Sequence, residues 1–302
     1  MNFDYIVVGA GSAGCVLANR LTANGRHSVL LLEAGGSDQR FWLQVPIGYG
    51  MSFFNPRVNW MYRTEPEAAL AGRSGYWPRG KVLGGSSAIN AMVFIRGQRA
   101  DFDEWRAAGN PGWGWDDVLP YFKKLEDNGN GADEWRATGG PMHVSDVSPD
   151  LHPLCQTYLR AGEQAGLTAN RDFNGATVEG VGLYQITTLN GRRMSAARAY
   201  LHPARRRPSL RVETHAHATR ITFAGTQATG VEYRQGGEMR SARARREVIL
   251  AAGSINTPLL LQGSGVGPAN LLRGFGIDVV CDLPAVGRNL QDHLCVDHLY
   301  RS

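Results

Sequence analysis

The chain has 302 residues, of which 43% are hydrophobic and 20% charged, a composition typical of a folded globular protein. This length allows one large domain or two, with a hydrophobic core large enough for folding without disulfide or metal cross-links. Thirty-two Lys and Arg against 27 Asp and Glu give a formal net charge of +5. Much of the excess lies at 205–207 and 243–246 without interleaved aromatic residues, so we expect a solvated surface and no nucleic-acid partner.

The cysteines and the apolar runs limit the class of protein further. Cys15, Cys155, Cys281 and Cys295 form no C-x-x-C pair and have no zinc-site spacing, so we expect reduced packing residues and no metal. The chain enters an apolar strand at once, without a cationic leader. No apolar run approaches the roughly 18 to 20 residues of a membrane-spanning helix. These features disfavour secretion and membrane insertion, and they favour a cytoplasmic protein.

The first element pair predicts a βαβ unit with a nucleotide fingerprint. An apolar run at 5–8 precedes GAGSAG at 9–14, and an amphipathic helix follows and stops at 24–25. Residues 28–32 form a second apolar run, with Glu33 at its carboxyl end. Because G-x-G-x-x-G lies between a predicted strand and helix, and an acid follows at the expected spacing, the pattern predicts a dinucleotide site.

Each residue of that fingerprint has a physical reason. Gly9 permits the tight turn, Gly11 lets the backbone approach a pyrophosphate, and Gly14 lets helix and strand pack closely. The helix N-terminus offers N–H donors to the phosphates. Glu33 can accept ribose hydroxyls and would repel a 2′-phosphate, which leaves FAD or NAD. The alternative for Glu33 is a surface acid at a strand end.

Further along the chain, a second glycine turn favours the larger cofactor. Residues 35–76 lack a clear period, and we predict a long extended loop with an interaction or lid role. In the stretch 77–97, the glycines at 84–85 and the serines that follow predict a second backbone cradle. A cofactor contacted from several parts of the chain favours FAD over NAD.

The remaining elements are predicted from their periodicity and turn residues. Asp116 is expected to cap an amphipathic helix, and Thr257 and Pro258 to open another. The further predictions are a helix at 153–166, a strand at 180–189, an antiparallel meander of strands at 210–213, 218–223 and 230–233, and a second fully apolar strand at 247–252.

Two segments, WPRGKVLGGSSAINAMVFIRG at 77–97 and AAGSINTPLLLQGSGVG at 251–267, resemble the signatures of the glucose-methanol-choline (GMC) oxidoreductases, flavoproteins that oxidise alcohols. The resemblance also covers the fingerprint, GRRMSAARAYL from Gly191 and VGRNLQDH from Val286. It implies an α/β fold: a Rossmann-like FAD-binding domain with a parallel sheet and an antiparallel meander, plus a small inserted piece of a substrate domain. The implied division is 1–147 and 194–302 for the FAD-binding domain and 148–193 for the insert.

The resemblance implies contacts with FAD at the positions that match the family's motifs. The implied cofactor residues are Gly9, Gly11, Ser12, Ala13, Gly14, Glu33, Ala34, Val82, Gly85, Ser86, Asn90, Ala91, Met92, Val93, Ala218, Ala252 and Gly253. For the apolar members Val82, Ala91, Met92 and Val93, ordinary core packing is the alternative. Ile89 stands where some members carry a histidine that tethers the flavin, so we expect non-covalent FAD.

The implied reaction is oxidation of a primary aliphatic alcohol or choline to the aldehyde, with hydride transfer to flavin N5. The family's base is a histidine in a C-terminal half that follows the matched segment, and none of the eight histidines here matches it. We therefore leave the catalytic residue unknown, and His293 is expected to anchor its loop. The chain is expected to be the FAD-binding portion of the enzyme and inactive alone.

The resemblance to bacterial alkanol and choline dehydrogenases implies quinone or oxygen as electron acceptor. It also implies a cytoplasmic enzyme, with peripheral association at the inner membrane left open. Two alternatives remain at this point. One is an NAD-dependent dehydrogenase, and the other is a non-enzymatic dinucleotide-binding protein.

Overall fold

A computed structural model describes residues 1–293, 295–296 and 298. The strands are β1 (Asn2–Val8), β2 (Val29–Leu32), β3 (Tyr62–Arg63), β4 (Tyr76–Trp77), β5 (Glu126–Asn128), β6 (Met142–Val144), β7 (Thr188–Leu189), β8 (Arg192–Arg193), β9 (Leu210–Glu213), β10 (Ala216–Ala224), β11 (Gln227–Gln235), β12 (Glu238–Leu250), β13 (Val266–Gly267) and β14 (Cys281–Asp282).

The helices are α1 (Ser12–Leu21), α2 (Phe41–Gln44), α3 (Tyr49–Ser52), α4 (Arg99–Ala107), α5 (Trp115–Leu125), α6 (Pro153–Gln164), α7 (His202–Ala204), α8 (Gly253–Gly263) and α9 (Ala269–Gly274). Short 3₁₀ segments lie at Pro46–Gly48, Ala68–Leu70, Gly85–Ala88 and Ser148–Asp150, and a π-helical stretch lies at Ala197–Leu201.

One six-stranded sheet, in the order β10-β11-β12-β1-β2-β9, organises the fold. The strands β12, β1, β2 and β9 are parallel to one another, whereas β10, β11 and the first part of β12 form an antiparallel meander. In β2 all four residues are buried, as expected for a parallel strand covered on both faces. The predicted α/β class with a parallel sheet and a meander is confirmed.

The membership of the meander was predicted wrongly in two places. Residues 210–213 do not belong to it, because β9 pairs in parallel with β2, Val29 opposite Leu210. Its third strand is instead the first part of β12, where Gly230 pairs with Arg243, and the predicted strand at 247–252 is the last part of the same strand. The exposed arginines of β12 hide its first part from any search for apolar runs.

Two loop and strand predictions also need correction. The stretch 35–76 is not one extended loop, since it contains α2, α3, two 3₁₀ segments and the first strand of the β3–β4 hairpin. The stretch 180–189 is not a continuous strand. Only β7 and isolated bridges at Val181 and Ile186 remain, because these residues pair with several different segments.

Two predicted helix starts are displaced. Helix α5 begins at Trp115, and the carboxylate that accepts from the cap residue Gly114 belongs to Asp117, whereas the predicted cap Asp116 lies in the first turn and pairs with Arg99. Helix α8 begins at Gly253, so Pro258 lies inside the helix. The predicted helix at 153–166 is confirmed as α6.

The core consists of two apolar layers, one on each face of the sheet. One layer includes Val7, Leu31, Cys15 and Leu201 and lies under α1 and the π-helical stretch. The other includes Ile6, Leu30 and residues of the meander, with Leu260 of α8 packed against it. The prediction that Cys15 is a packing residue is confirmed.

All four cysteines are free, and Cys15 is buried, but Cys281 and Cys295 are exposed and are therefore not the packing residues predicted. Among the described residues, no cluster of His, Cys, Asp and Glu could hold a metal ion. No helix within that same part is long and apolar enough to cross a bilayer.

Candidate cofactor site

The turn between β1 and α1 requires glycine for steric reasons. Gly9 has a φ of +97°, and a Cβ at Gly14 would lie 1.8 Å from the carbonyl oxygen of Gly9. Helix α1 begins at Ser12 with no side chain capping its N-terminus and no acid in its first turn. The first-turn N–H groups and the positive end of the helix dipole are therefore available to an anion.

Glu33 lies at the carboxyl end of β2 beside this turn and is only 5% exposed. Its Oε2 accepts a hydrogen bond from the Ala10 amide at 2.9 Å, and its Oε1 accepts from the Gly35 amide at 2.8 Å. Burial raises the pKa of Glu33 to about 7, although both amides favour the ionised form. Each carboxylate oxygen can accept a further hydrogen bond and could therefore accept from a ribose hydroxyl. That contact stays a prediction.

The second glycine turn packs directly on the first. The Gly84 amide donates to the Ala10 carbonyl at 2.8 Å. A Cβ at Gly85 would lie 2.7 Å from the Gly11 Cα, and one at Gly80 would lie 2.2 Å from the Gly85 carbonyl carbon. Because only glycines allow these approaches, the two predicted cradles form one continuous backbone surface.

A cavity of about 940 Å³ lies against this surface. The predicted cofactor residues that line it are Gly9, Gly11, Ser12, Ala13, Glu33, Ala34, Gly85, Ser86, Ala218, Ala252 and Gly253. They come from the turn after β1, the end of β2, the second cradle, β10 and the start of α8. The structure thus brings together residues as far apart in the sequence as Gly9 and Gly253, which are separated by 244 positions.

The other predicted contacts lie outside this cavity. Gly14 is buried behind the turn, and Val82 is fully buried in a small cluster with Leu43 and Ile89. Asn90, Ala91 and Val93 are exposed beyond the cavity, and Met92 between them is buried. Their contact with a cofactor stays a prediction, and for Val82 and Met92 burial agrees with the packing alternative.

The sequence did not indicate an aromatic wall of the cavity that is formed by Trp60 and Tyr62. Their rings stack at 5.9 Å, and Lys81 Nζ lies 4.6 Å from the Trp60 ring centroid. The Tyr62 hydroxyl donates to Asn256 Oδ1 at 2.5 Å, which joins this wall to α8. The density of aromatic residues between 53 and 62 was the available signal. Other lining residues that were not predicted include Arg79, His217, Thr219, Ser254, Ile255, Thr257 and Pro258.

Four histidines outside the cavity have structural neighbours of their own. His27 packs on Tyr5, His143 and His202 pair with Asp127 and Asp38, and His152 Nδ1 accepts from the Leu154 amide. His217 lines the cavity against Trp60, on the strand that carries Ala218. Burial is the main cause that lowers the pKa of His217. Among the described histidines, His217 alone lines the cavity, next to the predicted cofactor residue Ala218.

The cavity fits a dinucleotide cofactor by three observations. The N-termini of α1 and α8 both border the cavity and carry no side-chain caps, so their amides are available to phosphate and sugar oxygens. The cavity wall at Gly9, Gly80 and Gly85 is bare backbone, because a Cβ at any of these positions would collide with neighbouring backbone atoms. Glu33 supplies the acid at the second strand end.

Comparison with known proteins agrees with this geometry. Residues 3–295 match the GMC oxidoreductase family model for the N-terminal domain. The chain is 48% identical over 294 residues to an oxygen-dependent choline dehydrogenase of Sinorhizobium fredii, covering 97% of this chain and 53% of that protein. It is 48% identical over 295 residues to an alcohol dehydrogenase (acceptor) of Pseudomonas putida, with the same two coverages.

Among solved structures, an FAD-dependent oxidoreductase from Chaetomium thermophilum superposes with a TM-score of 0.88 at 35% identity. The match covers 96% of this chain and 52% of that chain. The chain therefore spans about half the length of the curated relatives it matches. The match over nearly all of its length, together with the glycine cradles, places this chain in the GMC oxidoreductase family.

Proposed function

We propose that this chain is the FAD-binding portion of an enzyme that oxidises a primary aliphatic alcohol or choline to the aldehyde. The observation that carries the proposal is the cavity in which the turn after β1, Glu33 and the second cradle meet. Family membership and the names of the choline and alcohol dehydrogenases cited above support the reaction. The FAD-dependent structural neighbour supports FAD over NAD.

The chain's own residues bind and orient the cofactor in this proposal. The uncapped start of α1, with Gly11 and Ser12, holds the pyrophosphate, and Glu33 accepts the adenosine ribose hydroxyls. Ala218, Ala252 and Gly253 border the adenosine side. Gly85, Ser86 and the stretch 90–93 direct the flavin. When bound, FAD supplies at N5 the acceptor for the hydride of the alcohol carbon.

An alcohol releases a hydride readily only when a base takes its hydroxyl proton. The described histidine that lines the cavity, His217, lies on the adenosine side next to Ala218. His143 and His202 are paired with carboxylates elsewhere. We therefore infer that the described residues position the cofactor and that the proton acceptor is a different group.

We retain the three-part division as part of this proposal. The insert, 148–193, contributes α6 and the β7–β8 hairpin and no strand of the six-stranded sheet, which supports its assignment to a separate unit. All strands of that sheet come from 1–147 and 194–302. Residues 294, 297 and 299–302 of the last part lie outside the described residues.

Non-covalent attachment, the acceptor and the cellular location belong to the same proposal. Ile89 is 2% exposed and has no nucleophilic atom to form a bond to the flavin. The oxygen-dependent choline dehydrogenase of Sinorhizobium fredii supports oxygen as the acceptor, and quinone is the alternative. We propose a cytoplasmic location, and peripheral attachment to the inner membrane is the alternative.

The test is an absorption spectrum of the purified protein before and after addition of FAD or NAD, with unbound nucleotide removed by gel filtration. We expect a flavin spectrum that stays with the protein and a supernatant that turns yellow after acid precipitation. Anaerobic choline or 1-butanol should leave the flavin oxidised. Retention of NAD and not FAD would contradict the cofactor, and bleaching by either alcohol would contradict the inference about the base.

A further inference from the structure

Arg193 is a buried cation without an acidic partner. Its side chain is 2% exposed, and in the part of the chain that the structure describes it forms no ion pair with a carboxylate. Burial lowers the pKa of Arg193 to about 10, so the guanidinium is still charged at neutral pH. A buried charge without a counter-ion destabilises the folded state, so we looked for a function of Arg193 that explains its position.

The guanidinium of Arg193 joins three separate segments near the second cradle. Its Nε donates to the Leu43 carbonyl at 3.0 Å, and its Nη1 donates to the Ser87 carbonyl at 3.2 Å and to Asn90 Oδ1 at 2.8 Å. Its Nη2 is buried without a partner. The planar guanidinium group therefore fixes the end of the second cradle relative to α2, and its Nη2 donor is unused.

The bond to Asn90 reaches a strained turn. Asn90 Oδ1 also accepts from the Met92 amide at 3.1 Å, and Met92 has a φ of +64°. A left-handed non-glycine residue persists only where its surroundings hold it, at a cost of about 1 to 3 kcal/mol. The Met92 carbonyl is held in turn by the Thr187 amide at 2.9 Å. Arg193 thus acts on the turn at 90–93 through a single side-chain oxygen.

We propose that Arg193 is a positioning residue for the cofactor, which holds the turn at 90–93 through Asn90 and gives the flavin end of the site a fixed positive charge. This inference rests on the proposed function, since the turn at 90–93 is the predicted flavin contact. Two consequences follow. Loss of the directed bonds weakens FAD binding, and loss of the charge disfavours the reduced flavin, which carries more negative charge than the oxidised form.

The substitutions Arg193→Met and Arg193→Lys separate these two consequences. Arg192→Met is the matched control, because the Arg192 side chain is adjacent in sequence but exposed. The readouts are the FAD dissociation constant, from quenching of flavin fluorescence, and the midpoint potential of the bound flavin. We expect R193M to weaken FAD binding by about tenfold or more, the loss of about 1.4 kcal/mol or more, and to lower the potential. R193K should weaken binding and keep the potential closer to that of the unsubstituted protein, and R192M should change neither.

Asn90→Ala provides an independent test that leaves the buried arginine in place. We expect N90A to weaken FAD binding, and N90A/R193M to bind no more weakly than R193M, because both substitutions break the same connection. Additive losses would overturn positioning through Asn90. If R193M fails to fold, N90A and R193K decide, and unchanged affinity in both would overturn the inference. Failure of the unsubstituted protein and R192M to bind FAD would instead refute the proposed function.

Discussion

At the scale of single residues, the proposed contact between Glu33 and the ribose would link cofactor binding to pH. Its oxygens accept from the amides of Ala10 and Gly35, and burial raises its pKa to about 7. Ribose hydroxyls donate to the ionised carboxylate better than to the neutral acid, so FAD favours the ionised form. We predict that FAD affinity increases as the pH rises through about 7, by up to about tenfold per pH unit below that point.

Without FAD, the raised pKa of Glu33 makes the folded protein more stable at low pH than at high pH, which is the reverse of the trend in FAD affinity. The favourable contribution is complete below the ordinary value of 4.5 and is lost as the pH rises through about 7, because the folded state then buries a charge. Fluorescence titrations at several pH values, with urea unfolding of the free protein, check both trends. Glu33→Gln should remove them, and His217→Asn should retain them. An equal pH trend in E33Q would refute the role of Glu33.

At the scale of elements, the contact between the two cradles depends on Gly80. A Cβ there would lie 2.2 Å from the Gly85 carbonyl carbon, so Gly80→Ala must push the two backbone segments apart. Gly80 does not have a positive φ, and the effect is therefore purely steric. We predict that G80A weakens FAD binding by about tenfold or more, about 1.4 kcal/mol or more.

The matched control for G80A is Gly50→Ala, because a Cβ at Gly50 meets nothing within 4 Å. Both variants are compared by FAD titration and by far-ultraviolet circular dichroism. The prediction requires G80A to keep the secondary structure of the parent protein and to lose affinity, while G50A loses neither. Equal affinities of the two variants would mean that the cradles do not act as one surface.

The elements also explain how much the sequence could predict. Local signals were enough for β1, α1 and β2, because the apolar runs and the glycines at 9–14 are contiguous in the chain. They were insufficient for β9, whose partner β2 lies about 180 residues earlier, Val29 opposite Leu210. They were also insufficient for β12, which carries exposed arginines in its first part and an apolar end. The aromatic wall was missed because Tyr62 meets α8, and Trp60 meets His217 of β10, only in the folded chain.

At the scale of the whole molecule, the cavity is a junction of distant segments. Gly9, Glu33, Gly85, Ala218 and Gly253 belong to five parts of the chain that meet only when the sheet is complete. A ligand that contacts all of them binds the folded state and not the unfolded chain, so it stabilises the fold by mass action. The residues that border the cavity are mainly those assigned to the adenosine and pyrophosphate portions of FAD.

This distribution of contacts predicts which half of the cofactor stabilises the protein. ADP carries the adenosine and diphosphate without the flavin, and FMN carries the flavin without the adenosine. Because α1, Glu33 and Ala218 border the cavity whereas 90–93 lies outside it, ADP should raise the melting temperature and FMN should have little effect. At about 100 times the dissociation constant, a ligand adds about 2.7 kcal/mol, which corresponds to roughly 5 °C. Differential scanning fluorimetry measures the shift, with E33Q as the variant in which the ADP effect decreases. Stabilisation by FMN equal to that by ADP would place the main binding energy on the flavin side and contradict this assignment.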